Sequence, residues 1–151
     1  MGDEFVQQGK VEWIGKVVEH IRKNGLVAGV AGHSVEVPVA CEKAGLRPDF
    51  YMKTFNRKRY WSAGPTPRLD SVWEETPERT RAFMQEVDRP WIAYKVLGAG
   101  AIHPREGFTF AYQSGADFLC VGMFDFQVKE DVGLALTALE KTRQRDRTWC
   151  A

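Results

Sequence analysis

The chain has 151 residues, of which 44% are hydrophobic and 27% are charged, and its formal net charge is +1. This length and composition predict one globular domain with a buried core. The small net charge gives no argument for nucleic acid or a membrane surface as a partner, and no apolar run has the length of a membrane span. The three cysteines are far apart in the sequence, which argues against disulfides and a zinc motif and favours a cytoplasmic location.

Helical and strand patterns alternate along the chain. The segment 1–25 precedes the first strand, and the spacing of its apolar residues predicts an amphipathic helix over Val11–Lys23. Four strand–helix units follow. Their strands are predicted at 26–32, 49–54, 91–97 and 118–122. The last residues, 143–151, are predicted to form a frayed tail.

This order of elements predicts a parallel α/β chain with right-handed crossovers. Two architectures fit it: an open doubly wound sheet of four strands, and half of a TIM (β/α)8 barrel. Length favours the open sheet, whereas two features of the motifs favour the half barrel. We therefore predict a partial TIM barrel, with parallel strands five to eight and their helices in a single domain over 1–151.

The first feature is a lysine near the C-terminal end of two strands, in DFYMKTF (49–55) and WIAYKVL (91–97). Inward positions at that end of a barrel strand point into the active site, so Lys53 and Lys95 are expected to point inward at one rim. In a sheet covered on both faces each would be a buried cation, which is costly. Two close lysines lower each other's pKa, which favours a catalytic Schiff base. Anion binding and a structural role are the alternatives.

The second feature is the glycine turn GAGAIH (98–103), followed after the next helix by GADFLCVGM (115–123). The pairing resembles the last two units of phosphate-binding barrels, whose loops hold a phosphate with backbone N–H groups. By this resemblance, Gly98, Gly100 and Gly122 are predicted ligand-binding residues. Plain tight turns are the alternative.

Other side chains are candidates for the same rim. His33 follows the first strand and is a candidate acid–base catalyst, with a metal ligand or an ordinary loop position as the alternatives. Asp125 follows the last strand and is also a candidate acid–base catalyst, with a partner of a lysine or a helix cap as the alternatives. His103, at a helix start, is a candidate phosphate contact. A long polar loop is predicted at about 56–75, and its Tyr60 and Trp61 are candidate lid residues, with packing of the loop as the alternative. The histidines and Asp125 lack metal-ligand spacing, so no metal site is predicted.

Long segments of the chain also resemble known families. Nearly the whole chain, through DFYMKTFN…YWSA, PWIAYKVLGAGAIHPREGF and GADFLCVGMFDFQV, resembles the C-terminal half of an uncharacterised bacterial TIM-barrel family. This resemblance implies the fold and no chemistry, and the N-terminal half of that barrel is absent here.

A shorter resemblance bears on chemistry. DFYMKT and YKVLGAG are similar to strands six and seven of the deoxyribose-phosphate aldolases, although the pattern departs at Phe55, Asn56 and Val96. What this resemblance implies is a Schiff base on Lys53, with Lys95 as its neighbour.

Together these patterns predict part of a small-molecule enzyme, with lyase chemistry of the aldolase type on a small, phosphorylated carbonyl compound and no cofactor. One alternative is an oxidoreductase similar to the aldo/keto reductases, with NADP as cofactor and its catalytic residues in the missing half. Another is a non-catalytic half barrel that associates with itself, or with an N-terminal half, through its open sheet edges.

Overall fold

A computed structural model describes residues 2–57 and 74–150. Within these ranges the chain forms six α-helices and one four-stranded sheet. In chain order the elements are α1 (Gly2–Gln7), α2 (Val11–Lys23), β1 (Gly29–Gly32), α3 (Glu36–Lys43), β2 (Phe50–Thr54), α4 (Pro77–Gln85), β3 (Trp91–Tyr94), α5 (Pro104–Gln113), β4 (Phe118–Cys120) and α6 (Val128–Lys141). Short 3-10 turns, Gly98–Gly100 and Asp125–Gln127, precede α5 and α6. No helix in the described ranges is long and apolar enough to cross a membrane.

The helix predicted from the apolar periodicity of residues 11–23 is present with the predicted bounds. This helix, α2, buries Ile14 and Val18. Gly25, with a φ of 72°, follows its C-terminus in the left-handed conformation that commonly ends a helix. The segment 1–25 contains a further helix, α1, because Gly9 turns the chain with a φ of 69° before α2 begins. All four predicted strands are present, and each is shorter than predicted.

The strands pair in chain order. All three pairs are parallel, and the order across the sheet is β1-β2-β3-β4. With the right-handed crossovers that parallel strands adopt, this order places the connecting helices on one face. A doubly wound sheet reverses its strand order at a switch point, and no reversal occurs among the described strands. The parallel α/β architecture is therefore confirmed, and it is compatible with half of an α/β barrel.

The two faces of the sheet differ in what covers them. Tyr51 and Trp91 lie on one face and are completely or almost completely buried. The Tyr51 hydroxyl donates to the Glu42 carboxylate of α3 at 2.7 Å. We call this the helix-covered face. Phe118 and Cys120 lie on the opposite face and are exposed, and we call that the open face.

Lys53 lies on the helix-covered face, so the prediction that it points inward with Lys95 is wrong. Because side chains alternate along a strand, Lys53 shares its face with Tyr51. Its Nζ donates to the backbone oxygen of Thr54 at 2.7 Å and forms an ion pair with Glu74, which precedes α4. Alternation in the sequence separates the two faces of a strand, but it does not show which face the helices cover.

The C-terminal segment, predicted to fray, is held at the amino edge of the sheet. Asp117, which precedes β4, binds the guanidinium groups of Arg145 and Arg147 at 2.7 and 2.6 Å. We call these three residues the amino-edge clamp. Arg147 also donates to the backbone oxygens of Met84 and Val87, at 2.8 and 3.1 Å. The prediction of a frayed tail is therefore wrong. The sequence near the C-terminus shows only arginines without a nearby acid, because the acidic partner of Arg147 lies 30 residues earlier.

Candidate functional site

A cleft lies at the carboxyl ends of β3 and β4, the edge where parallel α/β sheets bind their ligands. Its volume is about 780 Å³, which suits a small molecule. Five of the predicted site residues line it together: Lys95, Gly98, Gly100, His103 and Gly122. They meet because the loops after successive parallel strands share one edge of the sheet.

The glycine turn forms one wall of the cleft and is stabilised by its own backbone. Lys95 follows the end of β3 with a φ of 58°, a left-handed conformation that side chains rarely adopt. The N–H of Gly98 donates to the oxygen of Lys95, and the N–H of Gly100 donates to that of Leu97, both at 3.0 Å. These two N–H groups are used inside the turn, so the expectation that they hold a phosphate is wrong. The two glycines instead shape the wall.

The loop after β4 offers other backbone donors. Gly122 and Met123 line the cleft, and their N–H groups donate to no acceptor in the part of the chain that the structure describes. The N–H of the next residue, Phe124, donates to the side-chain oxygen of Gln127 at 3.1 Å. The cleft therefore combines available backbone donors with the cation of Lys95, which is the chemistry that binds phosphate and carboxylate.

A second polar group lies beside the cleft, at the same edge of the sheet. The Nδ1 of His33 lies 2.7 Å from the Thr54 hydroxyl and 2.9 Å from the Tyr94 hydroxyl. We call His33, Thr54 and Tyr94 the histidine cluster. Asp3 of α1 accepts the backbone N–H of His33 at 2.8 Å, which fixes the backbone of this residue.

The histidine cluster is built from the ends of three neighbouring strands. His33 follows β1, and the sheet register places Thr54 beside Tyr94. Tyr94 in turn pairs with Cys120, which lines the cleft. Since paired strands are about 4.8 Å apart, the backbone of Tyr94 lies next to the cleft, although none of the three cluster residues lines it. An imidazole next to two hydroxyls is suited to proton transfer near neutral pH.

The remaining predicted residues have different outcomes. His103 accepts the N–H of Arg105 on its Nδ1 at 3.2 Å and so caps α5, while it also lines the cleft. Asp125 is exposed, accepts the N–H of Phe126 at 2.9 Å and does not line the cleft. Its predicted role at the site is therefore not supported by its position. Tyr60 and Trp61 lie outside the described residues.

Two groups of functional candidates were missed by sequence reasoning. In the sequence, Thr54 and Tyr94 have the pattern of ordinary strand residues. Both carry a hydroxyl at the last position of a strand, and this shared position could have indicated that they lie together at the carboxyl edge of the sheet. Asp131, in the first turn of α6, lines the cleft and is 5% exposed. Its carboxylate forms no hydrogen bond or ion pair with a described residue. An aspartate in the first turn of a helix is usually explained by its favourable interaction with the helix dipole, so the sequence does not indicate that Asp131 lines a cleft.

Burial changes the pKa of Lys53 in the direction that suits a nucleophile, but its amine is not accessible to a ligand. Burial lowers its pKa, and the charge of Glu74 acts in the opposite direction. A lowered pKa would suit a Schiff base. However, Lys53 is 1% exposed, and its amine is paired with Glu74 between the sheet and the helices. This geometry fits a structural ion pair.

Metal binding has no support in the described ranges, where no group of three histidine, cysteine, aspartate or glutamate side chains could hold an ion. Comparison with protein-family models, with curated proteins and with solved structures gives no match for the chain. What the protein does is therefore inferred from the cleft and from the histidine cluster.

Proposed function

We propose that the cleft binds the anionic group, a phosphate or a carboxylate, of a small carbonyl compound, and that the chain forms part of an α/β-barrel enzyme acting on it. The observation that supports this most directly is the meeting of Lys95 with the N–H groups of Gly122 and Met123 in one cleft. A cation next to backbone donors is the usual composition of a site for an anionic group. The carboxyl edge of a parallel sheet is also the usual place for it.

The proposed chemistry is proton transfer next to the carbonyl group, as in isomerases and many lyases. His33 would exchange the proton, and the hydroxyls of Thr54 and Tyr94 would orient its ring. The lyase chemistry predicted on Lys53 is not part of this proposal, because that amine faces the helices and not the cleft.

Titration of inorganic phosphate into the full chain by calorimetry tests the binding site. The variant Lys95→Met keeps the length of the side chain and removes its charge. Since a hydrogen bond to a charged group contributes about 1.5–3 kcal/mol, we expect an affinity about tenfold lower or weaker still. Lys23→Met, at the exposed end of α2, is the matched control and should bind like the wild type. Equal affinities of the Lys95→Met variant and the wild type would refute the site.

Deuterium exchange tests the proton transfer separately. The chain is incubated in D₂O with dihydroxyacetone phosphate, and loss of the protons next to the carbonyl is followed by NMR. We expect exchange faster than in buffer, abolished in His33→Gln and slowed in Tyr94→Phe. Exchange no faster than in buffer, with phosphate binding intact, would refute the role of the histidine cluster and leave the anion site standing.

A second candidate function is self-association, and the distribution of exposed apolar side chains favours it. The large hydrophobic residues that are most exposed in the described ranges belong to two parts of the chain, one around β1 in sequence and one from β4 to α6. On α2 and in the segment before β1 they are Trp13, Val17, Leu26 and Val27; on β4, in the turn after it and on α6 they are Phe118, Phe124, Phe126, Val128, Val132 and Leu136. Exposed apolar patches of this kind mark interaction surfaces.

We propose a second copy of the chain as the partner. β4 of one copy would pair in parallel with β1 of the other, and the same contact repeated by two-fold symmetry would close an eight-stranded barrel. Light scattering over a range of concentrations should then give twice the monomer mass. Leu136→Glu should give the monomer, whereas Thr137→Glu, the exposed neighbouring position on α6, should remain a dimer. A wild-type chain that stays monomeric at all concentrations would refute the self-association.

A further inference from the structure

Asp131 is a carboxylate in the cleft that has no partner among the residues that the structure describes. The residue is 5% exposed and lines the same cavity as Lys95 and Met123. It forms no hydrogen bond or ion pair with a described residue. In the described ranges the only fully buried side-chain N or O atom without a partner is Nε1 of Trp91, so the carboxylate oxygens of Asp131 keep a small exposed surface. Polar groups with so little exposure usually have a hydrogen-bond donor or acceptor as partner, and no described residue supplies a donor here. A bound molecule is therefore the natural source of that donor.

We propose that Asp131 accepts a hydrogen bond from a hydroxyl or ammonium group of the bound molecule. This inference rests on the proposed function, since the anionic group of the same molecule would lie near Lys95 and Met123. The substrate class is then a small molecule with an anionic group at one end and an O–H or N–H donor at the other. A hydroxyalkyl phosphate and an aminoalkyl phosphate both meet this description, whereas a simple alkyl phosphate does not.

The surroundings of Asp131 favour a donor group of the ligand over a metal ion. In the described ranges no further histidine, cysteine or acidic side chains group with it to form a metal site. A single carboxylate meets the needs of one hydroxyl or one ammonium group. A site of this kind also discriminates, because a ligand without the donor would cover the carboxylate and form no hydrogen bond with it.

A matched series of phosphates tests the inference on the full chain. Propyl phosphate, 3-hydroxypropyl phosphate and 3-aminopropyl phosphate have the same chain and differ in the terminal group; their four-carbon homologues allow for a longer reach. We expect one of the two donor-bearing compounds to bind about ten- to hundredfold more tightly than propyl phosphate. A preference for the hydroxyl compound or for the amino compound distinguishes the two sources of the donor.

Variants at Asp131 assign the preference to this residue. Asp131→Asn keeps the shape of the side chain and removes its charge, and Asp131→Leu also removes both acceptors. We expect the preference to decrease in the first and to fall below about threefold in the second, as the hydrogen bond to a charged group is lost. Inorganic phosphate should bind at least as well as to the wild type, since a nearby negative charge is removed. Glu130→Gln, the exposed neighbour on α6, is the control and should keep the full preference.

The results separate this inference from the proposed function. Equal affinities for the three compounds, with inorganic phosphate bound as expected, would overturn the role of Asp131 and leave the anion site standing. A preference that persists in Asp131→Leu would also overturn it. If neither inorganic phosphate nor any member of the series binds, the anion site and the inference fail together.

Discussion

Replacement of Asp117 by Asn tests how much of the stability depends on the amino-edge clamp. The Asp117 side chain is completely buried, and those of Arg145 and Arg147 are 2% and 3% exposed. The carboxylate also accepts the N–H groups of Trp91 and Cys150, at 2.8 and 3.0 Å. Asn keeps one acceptor oxygen and leaves two buried cations without their anion. Removal of one partner from a buried pair costs about 3–5 kcal/mol, so we expect the free energy of unfolding to fall by at least about 3 kcal/mol.

Urea denaturation, followed by tryptophan fluorescence and circular dichroism, measures this change. Glu140→Gln is the control, because it breaks an exposed pair with Arg143 and should cost less than about 0.5 kcal/mol. A chain that ends at Thr142 lacks both arginines of the clamp and should be destabilised about as much as Asp117→Asn. A loss below about 1 kcal/mol in Asp117→Asn would refute the reasoning, since it would place the pair in the range of surface ion pairs.

The other predictions concern the helix-covered face. Glu74→Gln leaves the ammonium of Lys53 buried without its anion and should lower the free energy of unfolding by about 3 kcal/mol. The double variant Lys53→Met/Glu74→Gln should be more stable than the sum of the effects of Lys53→Met and Glu74→Gln predicts. If the two effects simply add, the ion pair does not couple these residues. Borohydride reduction in the presence of dihydroxyacetone phosphate should leave Lys53 unmodified. A modified Lys53 peptide in mass spectrometry would instead support the Schiff-base hypothesis. Burial raises the pKa of Cys41 to about 11 from 9.0. The unfolded chain therefore loses the thiol proton first, and the free energy of unfolding should fall between about pH 9 and pH 11, by at most about 1.4 kcal/mol per pH unit. Equal slopes for wild type and Cys41→Ala would contradict that assignment.

The local pattern of the sequence predicts most of the fold. The apolar spacing of α2 and the apolar runs of the four strands depend on neighbouring residues, so they can be read without the tertiary structure. The orientation of Lys53 could not be predicted, because it depends on which face of the sheet the helices cover. The clamp could not be predicted either, since Arg147 contacts Asp117 across 30 residues of chain.

The candidate site could be predicted in part for the same reason. Lys95, His103 and Gly122 meet because each follows the end of one of two neighbouring strands, which the strand order alone implies. Which backbone N–H groups remain available could not be predicted, since this depends on the internal hydrogen bonds of the turn at Gly98. Asp131 was missed because the position of α6 over the cleft is a matter of helix packing.

The amino-edge clamp also has a consequence for how long the folded state lasts. Arg147 joins groups that are distant in sequence, from the backbone of Met84, 63 residues earlier, to Asp117, 30 residues earlier. Contacts between distant segments require closure of long loops and tend to form late in folding. The loss of a late contact accelerates unfolding and leaves the folding rate nearly unchanged. We therefore expect the clamp to set the lifetime of the native chain, while the speed of folding is set by the helices and strands that form before it.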